Sequence, residues 1–146
     1  MSLFNSMSVS ASGMSAQRFR TELLAQNIAN SETTRTEEGG PYRHQDAVFQ
    51  SAPVTHPFSS SFQSSLDESN SGVAVSEVQI DDREPIRRYM PGHPDADEKG
   101  YVAFPNFSPI EEMVDLMGAS RSFSANVTAM NAVKDMISKS IDLLRG

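Results

Sequence analysis

The sequence predicts an α+β fold: long N- and C-terminal α-helices paired as a coiled coil, with a small extended β region and a Ser-rich loop inserted between them. Two observations carry this reading. Apolar residues recur at spacings of three and four at both ends of the 146-residue chain, and that periodicity vanishes between about residues 31 and 108. The expected organisation is one discontinuous helical domain, residues 1–30 with 109–146, interrupted by an outer region at 31–108 that carries a mobile loop at about 51–72.

The C-terminal stripe is the clearer one. Met113, Leu116, Ser120, Phe123, Val127, Met130, Lys134, Ile137, Ile141 and Leu144 follow one another at alternating steps of three and four, and eight of these ten are apolar. Ser108 as a cap, Pro109 in the first turn, and Glu111 with Glu112 at the positive end of the dipole mark the helix start. A helix from Pro109 to Leu144 is about 50 Å long at ~1.5 Å per residue, and it needs a partner of similar length.

The N-terminus supplies that partner. Leu3, Met7, Met14, Leu24 and Ile28 fit a heptad whose remaining seam positions are Ser10, Gln17 and Thr21, with Phe4, Ala11 and Ala25 widening the face. Gly13 and the serines lower its intrinsic propensity, so this helix, from about residue 3 to Asn30, is expected to fold on a partner.

Between the helices the chemistry changes. A Gly39-Gly40-Pro41 turn precedes a predicted strand at Tyr42–Phe49, and nine serines occupy residues 51–76. "GVAVSEVQI" reads as a strand whose alternation slips near Glu77, which indicates a bulge, and "PIRRYM" as a short strand after the turn "DDREP". "PGHPDADEKGYVAFPNFSP" is punctuated by prolines and is expected to be an extended connector without regular structure.

Charge and composition narrow the function. The net charge of -7 divides as -1 over residues 1–50, -5 over 51–110 and -1 over 111–146, so no basic footprint for nucleic acid exists. Cysteine is absent, which removes disulfides, thiolate metal sites and a cysteine nucleophile. No apolar run approaches the roughly 20 residues of a spanning helix, so direct membrane insertion is not expected. The N-terminus has neither the basic nor the apolar segment of a cleaved secretory signal.

Motifs for catalysis are missing as well. "DADEKG" at 95–100 opens like a calcium loop, but Lys99 stands at the fifth position and Asn106 at the twelfth, so a polar turn is the better reading. His44, His56 and His93 lie in separate segments without ligand spacing. No phosphate loop, dinucleotide fingerprint or nucleophile elbow occurs, which points away from an enzyme, a cofactor or a small-molecule substrate.

What remains is assembly. Methionines on the C-terminal helix pack by default, and their soft side chains also let one face fit several neighbours. Asn27, Asn126 and Asn131 flank the seams, where amides fix register by bonding across a helix pair. Asn27 is expected to bond to the other helix or to another subunit, so that its loss weakens assembly more than folding. Asn30 is expected to end the first helix in the left-handed conformation, with Ser31–Thr36 starting a strand.

"LLAQNIANSETTRTEEGGPYR", "YMPGHPDADEKGYVAFPN" and "PIEEMVDLMGASRSFSANVTAMNAVKDM" together resemble the flagellar basal-body rod proteins. "ANSETT" at 29–34 is the signature that rod and hook proteins share, and the resemblance covers about residues 3–49 and 78–144. It implies a structural subunit of the bacterial flagellum that stacks helically into a hollow, torque-transmitting shaft across the periplasm, its terminal helices inside. It also implies export by the type III route without a cleaved signal. The implied partners are other copies of itself, neighbouring rod proteins and the base of the export apparatus. The competing readings from the residues alone are a free-standing helical adaptor and a calcium-regulated binder.

Overall fold

The computed structural model describes residues 3–37, 39–53 and 71–145. Along the chain these form α1 (Leu3–Ala29), β1 (Gln45–Pro53), β2 (Ser71–Ile80), β3 (Ile86–Tyr89), β4 (Tyr101–Phe104) and α2 (Pro109–Arg145). The two helices pack on each other, and α1 also lies against β1 and β2. Two antiparallel two-stranded sheets, β1 with β2 and β3 with β4, make up the outer region.

The helices run antiparallel, and two contacts fix their register. Asn27 meets Glu112, and a Cβ placed on Gly13 would lie 2.9 Å from the Asn126 amide. Both pairs set residue i of α1 opposite residue 139 − i of α2, and they are spaced by 14 residues, two heptads, on each helix. Gly13 therefore leaves room for the Asn126 side chain against α1, a use for the residue that its low propensity conceals.

The face of α2 turned to α1 differs from the stripe read in the sequence. Glu112, Ala119 and Val133 are buried, and Leu116, Asn126, Met130 and Ile137 are partly buried. Met113, Ser120 and Lys134 are exposed. The seam keeps Leu116, Met130 and Ile137, with Asn126 and Val127 both partly buried and Phe123 at its exposed edge, and is turned by one residue from 113, 120 and 134 to 112, 119 and 133. Small and polar side chains, Ala119 and Asn126 opposite Gly13, allow close packing that a count of large apolar residues cannot see. On α1, Ala16, Leu23, Leu24 and Asn27 are buried, Met7, Met14 and Ile28 partly buried, and Leu3, Phe4 and Ala25 exposed.

The end of α1 corrects another expectation. No residue other than glycine has a positive φ among those described, so Asn30 does not take the left-handed conformation. Instead the last turn tightens: Asn30 N–H donates to the carbonyls of Gln26 (3.0 Å) and Asn27 (3.1 Å), and the Asn30 side chain donates to Gln26 O (2.9 Å). Residues 31–36 are turn and coil, not strand. Gly39 and Gly40, with φ of 89° and 83°, then reverse the chain, and Tyr42 N–H returns to Thr33 O at 3.0 Å.

In the outer region β1 begins at Gln45 rather than Tyr42. Val48 pairs with Glu77 and Phe49 with Val75, which leaves Ser76 as the extra residue of a bulge where the alternation slipped. Ser51–Pro53 and Ser71–Gly72 belong to this ladder, so the serine-rich segment starts and ends in strand; residues 54–70 lie outside the described residues. The proline-punctuated connector also holds a strand. Tyr101–Phe104 pairs with Ile86–Tyr89 around Gly100 (φ 80°), whose carbonyl accepts from Met90 N–H at 2.8 Å. Val102 is fully buried there, and Tyr89 and Tyr101 meet edge to face at 5.4 Å.

"DADEKG" folds as the tight turn that serves this strand pair. Asp97 Oδ1 accepts from Lys99 N–H (2.9 Å) and Tyr101 N–H (2.8 Å), and the Tyr101 bond is the larger cause of a carboxyl held below its ordinary range. Asp95 accepts from Thr34 Oγ (2.8 Å), which ties the "SETT" turn to the second sheet.

Candidate functional site

The most elaborate side-chain arrangement is buried where α1 ends, β1 begins and α2 starts. Asn27 is wholly buried, and all four hydrogen-bonding capacities of its amide are used. Nδ2 donates to Gln45 O (2.9 Å) and to Glu112 Oε2 (2.8 Å). Oδ1 accepts from Tyr42 Oη (2.9 Å) and Gln45 N–H (3.2 Å). One side chain thereby pairs with both backbone groups of the first β1 residue, as a neighbouring strand would.

Glu112 completes the arrangement from the first turns of α2. It is 5 % exposed, with Oε2 on Asn27 and Oε1 3.0 Å from His44 Nε2. With Glu112 ionised, His44 carries its proton on Nε2 and donates. Among the described residues no arginine or lysine pairs with Glu112, so the anion is held by two hydrogen-bond donors and the positive end of the α2 dipole. His44 is placed by its backbone, whose carbonyl accepts from Asp81 N–H at 2.9 Å as the β1–β2 ladder ends. The Phe107 ring, 5.3 Å from His44 and 6.3 Å from Tyr42, covers the cluster. Burial, and secondarily the negative charge of Glu112, raise the Tyr42 phenol above its ordinary value of 10.0.

This cluster is a mechanical joint. It contains no nucleophile with a base, and among the described residues no three His, Asp or Glu side chains converge on a common point for a metal. His93 has Asp95 as its neighbour, its Nδ1 accepting from Asp95 N–H at 3.2 Å, and His56 lies outside the described residues. No helix among the described residues is long and apolar enough to cross a membrane.

The sequence picked out Asn27 in this cluster and missed Glu112, Tyr42 and His44. Glu112 reads as a solvated acid at a helix start; the fold turns it inward. The bond expected of Asn27 to the other helix is present, and it is made within one chain. The other marked positions divide by exposure. Leu24, Ile28, Leu116, Asn126, Val127, Met130 and Ile137 are buried or partly so, as is Asn30, whereas Leu3, Met113, Phe123, Asn131, Ile141 and Leu144 are exposed.

Helices that pair by register, a joint without chemistry and apolar faces left open define a structural assembly protein. Comparison with known proteins gives it a family. Residues 7–35 match the family described as "Flagella basal body rod protein", and residues 98–143 match "Flagellar basal body rod FlgEFG protein C-terminal". The first match contains Asn27 and the second Glu112, so the two matched segments meet at the joint. The flagellar basal-body rod protein FlgC of Borreliella burgdorferi is 41% identical over 155 residues and covers 100% of both chains. FlgC of Bacillus subtilis is 42% identical over 150 residues (98% of this chain, 99% of the relative), and FlgC of Salmonella typhimurium 35% over 144 (98% of each). The chain belongs to the FlgC family of flagellar basal-body rod proteins. It is a structural component of the basal body that assembles with other rod components, and not an enzyme.

Proposed function

We propose that the chain builds the proximal rod by polymerising through its paired terminal helices, which work as a coiled coil inside a hollow shaft while residues 31–108 face outward. The observation that carries this reading is the exposed apolar face of α2. Ile110, Met113, Val114 and Met117, at steps of three, one and three, lie on the side of the helix away from α1 and are 50–74 % exposed. Other copies of the chain and neighbouring rod proteins cover such a face in the assembled shaft, and two methionines there suit neighbours that are not identical. Subunits at the lower end meet the base of the export apparatus. Torque crosses the periplasm through many lateral contacts, with the Asn27–Glu112 joint fixing the outer region to the helices. The chain reaches the periplasm through the flagellar type III route without a cleaved signal peptide.

Sedimentation of the purified chain tests this. The wild type is expected to form large assemblies as concentration rises, and the double variant Val114→Ser/Met117→Ser to remain monomeric with unchanged helix content. A wild type that stays a folded monomer at high concentration, with α1 amides protected from exchange, favours a free-standing helical adaptor.

A further inference from the structure

The second sheet stands apart from the other elements. β3 and β4 pair with each other, and neither strand runs beside α1, α2, β1 or β2. Its root is held: Asn106 Nδ2 donates to Glu84 O at 2.9 Å across the base of the strand pair, and Phe107 lies against the rings of Tyr42 and His44 in the joint. At the far end, in the loop between β3 and β4, the tie is slighter. Among the described residues one hydrogen bond connects residues 86–104 to the chain before β3, from Thr34 Oγ to Asp95 Oδ2 (2.8 Å). Arg35 adds a mostly exposed guanidinium 3.9 Å from Asp95 Oδ1, a weak support in water.

His93 sits beside the same carboxylate. Asp95 N–H donates to His93 Nδ1 at 3.2 Å, so that nitrogen carries no proton in this arrangement. It also lies 3.9 Å from Asp95 Oδ2, the oxygen on which Thr34 depends. A proton on Nδ1 changes both relations. The Asp95 N–H then faces another donor and loses its bond, while the imidazolium draws Oδ2 into a charge-assisted hydrogen bond of about 2.8 Å. Closing that gap displaces Oδ2 by about 1 Å, enough to disrupt its bond to Thr34. Other charges near the ring and the carboxylate come from two further elements. Arg35, on the turn after α1, is repelled by the new cation, and Arg88 of β3 lies 4.8 Å over the Phe104 ring that His93 meets at 6.5 Å. The backbone follows the imidazole, because His93 N–H donates to Met90 O (3.0 Å) and His93 O accepts from Ala96 N–H (3.1 Å).

We infer that the second sheet is a hinged flap, rooted at Asn106 and Phe107, latched to the turn after α1 by the Thr34–Asp95 bond and released by protonation of His93. The device works within one chain and does not depend on assembly. Release frees the sheet to change direction relative to the helix pair, so acid alters the surface that the outer region presents.

The absence of cysteine lets two spin labels report the flap. Glu32→Cys and Glu98→Cys put them at exposed positions on the turn after α1 and on the β3–β4 loop of the full chain. The width of the distance distribution between them is measured by electron paramagnetic resonance at pH 8 and pH 5, an interval across which histidine side chains change charge, with helix content followed by circular dichroism. The labelled chain is expected to give a narrow distribution at pH 8 and one at least twofold broader at pH 5, with helix content unchanged. His93→Asn keeps an acceptor for Asp95 N–H and takes up no proton, so it stays narrow at both; Thr34→Val is broad at both. A width that ignores pH, equal broadening in His93→Asn, a narrow distribution in Thr34→Val at pH 8, or loss of helix alongside the broadening overturns the proposal.

Discussion

The Asn27 amide donates a 2.8 Å hydrogen bond to Glu112 Oε2 across 85 residues of sequence, and both side chains are buried. This bond connects the last turn of α1 to the first turns of α2, and the same amide holds both backbone groups of Gln45 at the start of β1. Asn27 therefore ties both helices to the start of the outer region, and the joint is expected to behave as a unit.

Asn27→Ala strands the hydroxyl of Tyr42, both polar backbone groups of Gln45 and one Glu112 oxygen. At roughly 1–3 kcal/mol for a buried group left unpaired, and with partial relaxation, the loss is expected to be about 3 kcal/mol. Urea unfolding of the monomer measures it. Asn27→Asp is expected to be at least as damaging near neutral pH, because it sets a second carboxylate against Glu112.

His44→Gln retains a donor for Glu112 and is expected to cost under about 1 kcal/mol. His44→Leu leaves the buried Oε1 unpartnered and is expected to cost about 2 kcal/mol. Equal losses for the two, measured by thermal unfolding, would show that packing against Phe107, and not the hydrogen bond, is what His44 supplies.

Tyr42 predicts the alkaline limit of the fold. Its phenol ionises above 10.0 in the folded chain, so the unfolded chain releases the proton first as pH rises. The contribution is fully present below about pH 10 and is lost as pH climbs through the raised folded value. Stability followed from pH 8 to 12 is expected to fall more steeply for the wild type than for Tyr42→Phe. The variant begins lower by about 1 kcal/mol for the lost bond to Asn27.

Gly13 makes room for the Asn126 amide between the helices. Gly13→Ala gains about 1 kcal/mol of helix propensity but crowds the Asn126 amide, and the two effects are expected to cancel within error. Gly13→Leu cannot be accommodated and is expected to lose 2 kcal/mol or more. Asn126→Ala in the Gly13→Ala background is expected to restore the propensity gain.

Gly100→Ala tests the second sheet. Its φ of 80° and a Cβ only 2.9 Å from the Tyr89 ring make the substitution costly, by about 2 kcal/mol. Loss of the Tyr89–Tyr101 ring contact in NMR spectra, with the helix signals unchanged, is the expected signature.

Elements with long or regular patterns were legible in the sequence. Both helices appear within a residue or two of their observed ends, and the slip near Glu77 foretold the bulge at Ser76. The seam of α2 was misplaced by one residue because its true members include Ala119, Asn126 and Glu112, which carry no hydrophobic signal. Tyr101–Phe104 was hidden because four residues between a glycine and a proline do not show alternation, and only pairing with β3 makes them a strand. Within the joint, Asn27 stood out as an amide beside an apolar run. Glu112, Tyr42 and His44 did not, since their roles depend on long-range contacts that no local spacing records.

In the proposed assembly one chain closes its helical pair at the Asn27–Glu112 joint and turns its apolar α2 face to neighbouring subunits. A reconstruction of the assembled shaft at side-chain resolution tests it most directly. Expected are α1 and α2 lining the channel, the β strands outside, Asn27 bonded to Glu112 of the same chain, and Ile110–Met117 covered by an adjacent subunit. Strands lining the channel, or an Ile110–Met117 stripe left open to solvent, would contradict it.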